Sequence, residues 1–185
     1  MVPDASPPEG MEGLWEQVAH VPRFTVSPSV FQAMADTATP QGILAVFHLP
    51  VVTLAEVLQK MAAPGRVPLL AVLDGIQDPG NGGTLVRTAV AAGVSAVLTG
   101  PNTVDLFSPR ALRAAAGLTP ACPILPPRES QELADYFLRQ GGRFVLLDVD
   151  GTRSIYDVDW RGPVGLIVGS EGQGAGQAWR QIAAA

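Results

Sequence analysis

The amino-acid sequence predicts an α/β fold, in which helices cover both faces of a mostly parallel sheet. From residue 67 onward, short apolar segments alternate with longer segments of helical periodicity, which is typical of parallel strands joined by crossover helices. The apolar segments are also continuous rather than alternating, and strands with that pattern are buried on both faces. Glycine and proline separate the segments at regular intervals, as expected for turns.

The elements of this part follow directly from the pattern. Five strands are predicted from the apolar runs at residues 69–73, 95–99, 123–125, 144–147 and 164–168. Helices are predicted from Asn81, as the capping residue, to residue 92, from Ser108-Pro109 to Gly117, and over residues 131–139. We expect residues 179–182 to lead into one more strand.

The N-terminal part has a less regular pattern. Residues 1–9 are rich in proline and polar residues, which indicates a disordered tail. We predict helices at residues 10–21 and from Ser27-Pro28 onward, and strands at residues 24–26 and 42–49. Thr53 and Glu56 form a capping box that opens a helix reaching residue 62. Because Pro64-Gly65 breaks that helix, we place the domain boundary between residues 10–64 and 65–185.

Composition limits the possible classes of function. Of the 185 residues, 47% are hydrophobic and 16% are charged, which favours a packed core. The net charge of −5 argues against a protein that coats nucleic acid, but it is compatible with an enzyme that holds RNA through a few placed arginines. One cysteine and two distant histidines argue against a metal site. Because no apolar stretch is long enough for a membrane span and no signal-peptide pattern is present, we expect a cytoplasmic protein.

The segment after the first strand of the regular part carries a first motif, Asp78-Pro79-Gly80-Asn81-Gly82-Gly83-Thr84-Leu85-Val86-Arg87-Thr88. Backbone N–H groups at the start of a helix, together with the helix dipole, favour an anion. Arg87 can share a helix face with Thr84, so a ligand that bears a phosphate is one interpretation. The alternative is a glycine turn needed only for backbone geometry. The spacing matches neither the P-loop nor the dinucleotide fingerprint.

A second motif, Gly169-Ser170-Glu171-Gly172-Gln173-Gly174, follows the last predicted strand. Its glycines would let a ligand approach the backbone closely, and one carboxylate lies among them. By itself the motif is equally compatible with a solvated turn. In a parallel sheet, however, ligands gather at the carboxyl ends of the strands, and both motifs are predicted to lie at that edge.

Taken in order, several motifs of the chain resemble those of the SPOUT-class RNA 2′-O-ribose methyltransferases of the TrmH/SpoU type. The resemblance covers residues 67–176. It rests on residues 78–89, on Ala92-Gly93, on Asp105-Leu106-Phe107-Ser108-Pro109-Arg110-Ala111, on residues 113–117, and on residues 169–174. Residues 24–49 are in addition similar to the end of the RNA-binding domain that precedes the catalytic domain in many members of that family.

The resemblance implies a sheet with a deep trefoil knot, S-adenosylmethionine as the cofactor, RNA as the substrate and a homodimer. It implies no metal. The residues that it assigns to cofactor binding are Leu147, Asp148, Gly169, Gly172 and Gly174. The residues that it assigns to catalysis are Asn81, Arg87 and Glu171, and those that it assigns to RNA binding are Arg87, Arg110 and Arg113.

The implied reaction is an in-line displacement in which the ribose 2′ oxygen attacks an activated methyl group. The enzyme must align the atoms and manage one proton. A guanidinium keeps its proton in proteins, so Arg87 is expected to hold phosphate and stabilise the developing alkoxide rather than to act as a base. Glu171 or a substrate phosphate is expected to accept the proton.

The sequence departs from the family pattern in two places. Ala115 occupies a position where members of the family commonly have a serine. The chain also stops at Ala185, before the further strand, the Ser-Leu-Asn-Val turn and the long helix with which the family ends. We therefore expect a truncated member whose knot is incomplete and whose N-terminal domain is partial.

Two alternative functions remain open on the sequence alone. The first is a non-catalytic, RNA-binding remnant of the family, which the missing C-terminal segment favours. The second is a dinucleotide-dependent enzyme on an ordinary doubly wound sheet. The absence of a Gly-x-Gly-x-x-Gly motif and of a ribose-binding acid argues against the second alternative.

Overall fold

A computed structural model of the chain describes residues 10–50 and 52–184. The chain divides into two units, of which the first ends at His48 and the second begins at Leu49. The tail predicted at residues 1–9 lies outside the described residues.

In its described part, residues 10–48, the first unit contains two short helices, α1 (Glu12–Gln17) and α2 (Pro28–Met34). As predicted, α2 starts at Ser27-Pro28, where the Ser27 side chain accepts a hydrogen bond from the backbone N–H of Val30. The strands predicted at residues 24–26 and 42–49 are wrong, because both segments are irregular. A β-prone segment forms a strand only against a partner, and residues 10–50 contain no strand to pair with. Phe47 is accordingly 83% exposed.

The second unit is built on a sheet of five parallel strands, which confirms the predicted fold class. The strands are β1 (Leu69–Asp74), β2 (Ala96–Thr99), β3 (Ile124–Leu125), β4 (Arg143–Leu147) and β5 (Val164–Gly169). Their order in the sheet is β3-β2-β1-β5-β4. The central strand β1 pairs with β2 on one side and with β5 on the other, since Leu73 is in register with Thr99 of β2 and with Val168 of β5. The carboxyl ends of these three strands therefore meet at one edge.

Among the residues of the second unit that the structure describes, five helices accompany the sheet: α3 (Leu54–Met61), α4 (Pro79–Ala91), α5 (Pro109–Ala114), α6 (Pro127–Arg139) and α7 (Gln177–Ala184). Short 3-10 turns lie at Thr119–Ala121 and Ile155–Asp157. The capping box predicted for α3 is confirmed: the Thr53 side chain accepts from the backbone N–H of Glu56, and the Glu56 side chain accepts from that of Thr53.

The helices cover both faces of the sheet, and each face has its own apolar core. On one face, α3, α6 and α7 bury residues such as Val57, Phe137 and Trp179 against the strands. The ring of Phe144 in β4 lies between Phe137 and Trp179, with centroid distances of 5.3 and 6.0 Å in edge-to-face geometry. On the other face, α4 and the segment around α5 bury Val86 and Ala115.

Two predicted helix boundaries and one predicted strand approach need correction. The capping residue of α4 is Asp78 rather than Asn81, because the Asp78 carboxylate accepts the backbone N–H of Asn81 and Pro79 occupies the first helical position. Helix α6 begins at Pro127, four residues before the predicted start, because here too proline occupies the first turn, where it favours the start of a helix. Residues 179–182, expected to lead into a strand, belong to α7, where Trp179 packs into the core.

Candidate functional site

Because the strands are parallel, the loops after β1, β4 and β5 all lie at the same edge of the sheet. These loops, together with helices α4 and α5, carry the residues that the sequence singled out. The geometry at that edge decides which of them come together, and it shows which glycines of the two motifs the backbone requires.

Two predicted catalytic residues, Asn81 and Glu171, are in direct contact. The Asn81 Nδ2 amide donates a hydrogen bond to Glu171 Oε1 at 2.5 Å. Asn81 belongs to the first turn of α4, and Glu171 to the loop after β5. The contact therefore joins the two motifs across the edge of the sheet, and it orients one carboxylate oxygen toward the amide.

The Asn81–Glu171 pair borders a cavity of about 270 Å³, which we call the pair cavity. Its remaining lining is mostly apolar: Ile76, Thr84, Leu85, Val168 and Gly169. Gly169, which the family resemblance assigned to the cofactor, thus lies beside the pair. The Glu171 carboxylate can therefore act as a proton acceptor beside a ligand in this cavity.

The anion site expected at the start of α4 is occupied by the protein itself. The Asp78 carboxylate takes the backbone N–H of Asn81 at 2.9 Å and forms an ion pair with Arg110 at 2.9 Å. The glycines that follow are packing residues, because a Cβ at Gly83 would lie 2.1 Å from the Ala111 carbonyl oxygen. The first motif therefore brings α4 and α5 into close contact, which the sequence alone did not reveal.

Arg87, the third predicted catalytic residue, is exposed on α4 and does not line the pair cavity. Within the described part of the chain, its guanidinium has no hydrogen bond or ion pair. Arg110 and Arg113, predicted to bind RNA, are exposed on the adjoining helix α5. The three arginines therefore lie on the same face of the sheet, and Arg87 has an unused guanidinium there.

The loop after β5 folds back on its own strand. Ser170 and Gly174 exchange backbone hydrogen bonds of 3.1 and 2.9 Å, so the chain returns to the end of β5 before α7 begins. A Cβ at Gly169 would lie 2.1 Å from the Ala175 nitrogen, and Gly174 has a φ of +66°. These two glycines are therefore required by the loop itself, whereas a Cβ at Gly172 would meet nothing within 4 Å.

Leu147 and Asp148, predicted to bind the cofactor, lie at the end of β4, and Leu147 is 41% exposed. Asp148 Oδ2 is paired with Arg180 Nη1 of α7 at 2.5 Å. The backbone N–H of Asp150 and this arginine together lower the pKa of Asp148 below its ordinary value, although partial burial opposes them. Arg180 is a site residue that sequence reasoning missed, since nothing in the sequence links it to Asp148.

Ala115, where the family commonly has serine, is fully buried in the core between α4 and the sheet. It contributes to packing and lines neither the pair cavity nor the loops around it. Among residues 10–50 and 52–184, no cluster of three or more metal-ligating side chains is present. None of the helices in the same ranges is long and apolar enough to cross a membrane.

Comparison with known proteins finds similarity to methyltransferases of ribosomal and transfer RNA. The family model described as the SpoU rRNA Methylase family matches residues 68–185. An uncharacterized tRNA/rRNA methyltransferase of Synechocystis is 34% identical over 151 residues, which is 82% of this chain and 53% of that protein. The 23S rRNA (guanosine(2553)-2′-O)-methyltransferase RlmP of Bacillus subtilis is 34% identical over 155 residues, which is 84% of this chain and 58% of that protein.

Solved structures extend the comparison to the fold. The AdoMet-bound rRNA methyltransferase of Sinorhizobium meliloti is 27% identical, with a TM-score of 0.68, over 86% of this chain and 59% of that chain. The chain thus spans somewhat more than half the length of the relatives it matches.

Proposed function

The chain belongs to the SpoU rRNA methylase family, and from this membership we propose that it transfers a methyl group from S-adenosylmethionine to a ribose 2′-hydroxyl of ribosomal or transfer RNA. The names of its relatives support this proposal, since RlmP of Bacillus subtilis methylates a guanosine 2′-hydroxyl of 23S rRNA. The structure of the Sinorhizobium meliloti enzyme with AdoMet supports the choice of cofactor.

The observation that carries the proposal is the contact of Asn81 with Glu171 beside the pair cavity. A ribose hydroxyl that attacks a methyl group must lose its proton during the reaction. Glu171 can accept that proton, and the hydrogen bond from Asn81 holds the carboxylate in position. In this proposal the Glu171 carboxylate and the Asn81 amide both act on the ribose, which requires that the nucleotide and the methyl donor bind side by side at this edge of the sheet.

The residues at this edge fit S-adenosylmethionine. The half-exposed Leu147 and the apolar wall of the pair cavity suit an adenosyl group, and the carboxylate of Glu171 suits the positive charge of the cofactor. The open space at Gly172 leaves room beside the backbone. Leu147, Asp148, Gly169, Gly172 and Gly174 would hold the cofactor. When bound, it supplies a methyl group that its sulfonium charge activates toward the 2′ oxygen.

Arg87 is proposed to hold a phosphate of the RNA and to stabilise negative charge on the 2′ oxygen. Its guanidinium is exposed and uncommitted within the described residues, and it cannot serve as the base because it keeps its proton. Arg110 and Arg113 are proposed to contact neighbouring phosphates on the same face. Phosphate contacts position the RNA without reading its sequence.

The proposal includes the larger context that the resemblance implies. Residues 10–64 are proposed to contribute to RNA binding, and residues 65–185 to belong to a methyltransferase domain of the trefoil-knot type. We further propose that the protein works as a homodimer in the cytoplasm. A non-catalytic, RNA-binding role has less support, because binding of phosphates would not require a carboxylate held beside Asn81.

The test has a binding part and a catalytic part. Calorimetry with S-adenosylmethionine and with NAD should show binding of the first alone. Transfer of a labelled methyl group to a ribosomal RNA transcript should fall by about a hundredfold in Glu171→Gln, with cofactor binding retained. Glu132→Gln is the matched control, because Glu132 is exposed on α6 and contacts only Arg128. Binding of NAD alone, or full activity of Glu171→Gln, would contradict the proposal.

A further inference from the structure

A second cavity, of about 370 Å³, opens at the same edge of the sheet, and we call it the amide cavity. It lies between the loops after β1, β2 and β5 and the first turns of α6 and α7. Five side-chain amides line it, and that of Gln131 is used in a hydrogen bond to Asp135 Oδ1 at 3.1 Å. The other four are Gln77, Asn102, Gln173 and Gln177. Within the described residues, none of these four amides has a hydrogen-bond partner, so each can bind a ligand.

The amide cavity also contains a buried acid. Asp74, the last residue of β1, is only 5% exposed, and its Oδ2 accepts the backbone N–H of Gly176 at 2.6 Å. Among the residues that the structure describes, it has no cationic partner, and Oδ1 accepts no hydrogen bond. Because Asp74 lines the cavity, this oxygen is available to a ligand with suitable donors.

The surroundings of Asp74 keep its free oxygen available. A Cβ at Gly100 would lie 1.8 Å from Asp74 Oδ1, so only glycine leaves room for the carboxylate in this position. The neighbouring Thr99 hydroxyl donates to the carbonyl of Leu125 instead. The protein therefore provides an acceptor at the cavity wall and supplies no donor for it.

The geometry of the donors on a nucleobase decides which base this acceptor suits. Guanine presents two adjacent donors, N1–H and N2–H₂, on its Watson–Crick edge. Adenine, cytosine and uracil place an acceptor next to each donor on that edge. A carboxylate only accepts hydrogen bonds, whereas the surrounding amides can turn to donate or accept. The fixed element, Asp74, therefore favours guanine, and flipped-out RNA bases are commonly recognised along this edge.

The amide cavity adjoins the pair cavity through two shared loops. In the loop after β1, Ile76 lines the pair cavity and Gln77 lines the amide cavity. In the loop after β5, Glu171 lines the former and Gln173 the latter. A nucleotide with its ribose beside Glu171 can thus place its base next to Asp74.

We propose that the amide cavity binds the guanine base of the nucleotide that is methylated, with Asp74 Oδ1 as the acceptor for N1–H and N2–H₂. This inference rests on the proposed function, since it assigns the base of the same substrate. The amide cavity is distinct from the proposed cofactor position, because of the five residues assigned to the cofactor only Gly174 lines it.

The test uses the 185-residue chain and the four nucleoside 5′-monophosphates as probes. In ¹⁵N-edited NMR spectra, the guanosine nucleotide should shift the side-chain amide signals of Gln77, Asn102, Gln173 and Gln177. It should bind about tenfold more tightly than the adenosine, cytidine and uridine nucleotides.

Asp74→Asn should abolish this preference. Asparagine can still accept the Gly176 N–H through its oxygen, but it then points an amide donor at the donors of guanine. Asp157→Asn, on the surface between β4 and β5, is the matched control and should keep the preference. If Asp74→Asn does not fold, Gln77→Leu and Gln177→Leu at the exposed rim should each weaken binding of the guanosine nucleotide by about threefold.

Three results would overturn the inference: no amide shift with any nucleotide, equal affinity for all four, or a preference that Asp74→Asn retains. S-adenosylmethionine is titrated separately. If it shifts the four amide signals and the guanosine nucleotide does not, the amide cavity is the cofactor site and the inference fails, while the proposed function stands. If S-adenosylmethionine does not bind at all, the proposed function fails instead.

Discussion

Arg180 and Asp148 form an ion pair of 2.5 Å between the last helix of the second unit and the loop after β4. The same guanidinium donates from Nε to the Ala175 carbonyl oxygen at 2.9 Å, and its Nη2 lies 2.7 Å from where a Cβ of Gly174 would be. One side chain thus holds two loops that are proposed to bind the cofactor. A planar guanidinium suits this task, because its donors point in fixed directions.

Removing this arginine should weaken cofactor binding. In Arg180→Met the two loops lose their common partner, and we expect the dissociation constant of S-adenosylmethionine to rise roughly threefold to tenfold. Arg180→Lys should recover part of the affinity, since an ammonium group can replace one contact but not both. Calorimetry measures both values. Arg128→Met, which breaks only an exposed pair within α6, is the control, and equal affinity in Arg180→Met would disprove the role.

Replacement of Arg87 by lysine should separate catalysis from cofactor binding. A lysine keeps the charge but loses the bidentate contact to phosphate, so methyl transfer should fall by about tenfold or more. The affinity for S-adenosylmethionine should stay the same, because Arg87 does not line the pair cavity. Arg139→Lys on α6 serves as the control. Near-normal turnover of Arg87→Lys would exclude a contact that requires the guanidinium.

A methyl group at Gly83 should destabilise the second unit. Its Cβ would lie 2.1 Å from the Ala111 carbonyl oxygen and 2.8 Å from the Ala114 Cβ, so α4 and α5 would have to separate. We expect Gly83→Ala to lower the free energy of unfolding by about 1–3 kcal/mol, as for overpacked cores. Urea denaturation provides the measurement. Gly172→Ala, whose Cβ would meet nothing within 4 Å, should change the value by less than about 0.5 kcal/mol.

Stability should decrease in acid through two carboxylates. Hydrogen bonds from Arg161 lower the pKa of Asp159 from 3.8 to about 2, and the pKa of Asp148 is lowered as well. A carboxylate with a lowered pKa in the folded state stabilises it fully above the unfolded pKa, and this contribution is lost as the pH falls through the folded pKa.

The loss is therefore expected between about pH 4 and pH 2. Urea midpoints measured across this range should fall less steeply in Arg161→Met than in the unmodified chain, because Asp159 then lacks its main partner. If the two profiles were parallel, the ion pair of Asp159 with Arg161 would not contribute to acid stability.

Cys122 should be unreactive until the second unit unfolds. Its side chain is 5% exposed, and burial raises the pKa of the thiol to about 11. The fraction of thiolate at pH 8 is then about a hundredfold lower than for an ordinary cysteine. Reaction with a disulfide reagent should therefore be slow in buffer and fast in guanidinium chloride. Because this is the only cysteine, Cys122→Ala gives the blank, and fast reaction of the native chain would contradict the burial.

The strands of the second unit could be predicted because each is covered on both faces and therefore has a continuous apolar sequence. The same reasoning failed at residues 42–49, where Val46 and Phe47 are apolar but exposed. Strand propensity is local, whereas a strand also needs a neighbour, and no local pattern shows whether the neighbour exists.

The site was predictable only in part, for a related reason. Asn81 and Glu171 could be singled out from two motifs at the ends of strands, and the structure joins them. Arg180 and Asp74 could not, because each acts through contacts with residues far away in the sequence. The anion site at α4 was mistaken because Asp78, which looked like part of a turn, caps the helix and fills the position.

The order β3-β2-β1-β5-β4 has a consequence for the growing chain. The first three strands to be synthesised can pair with one another. One edge of β1 stays unpaired until β5 has been synthesised, because Leu69 of β1 pairs with Val164 of β5. The sequence of β1 is continuously apolar, and an unpaired edge of such a strand readily forms hydrogen bonds with strands of other chains. Folding of this sheet should therefore be limited by a late, long-range pairing, and the half-made sheet is the species most exposed to misassembly.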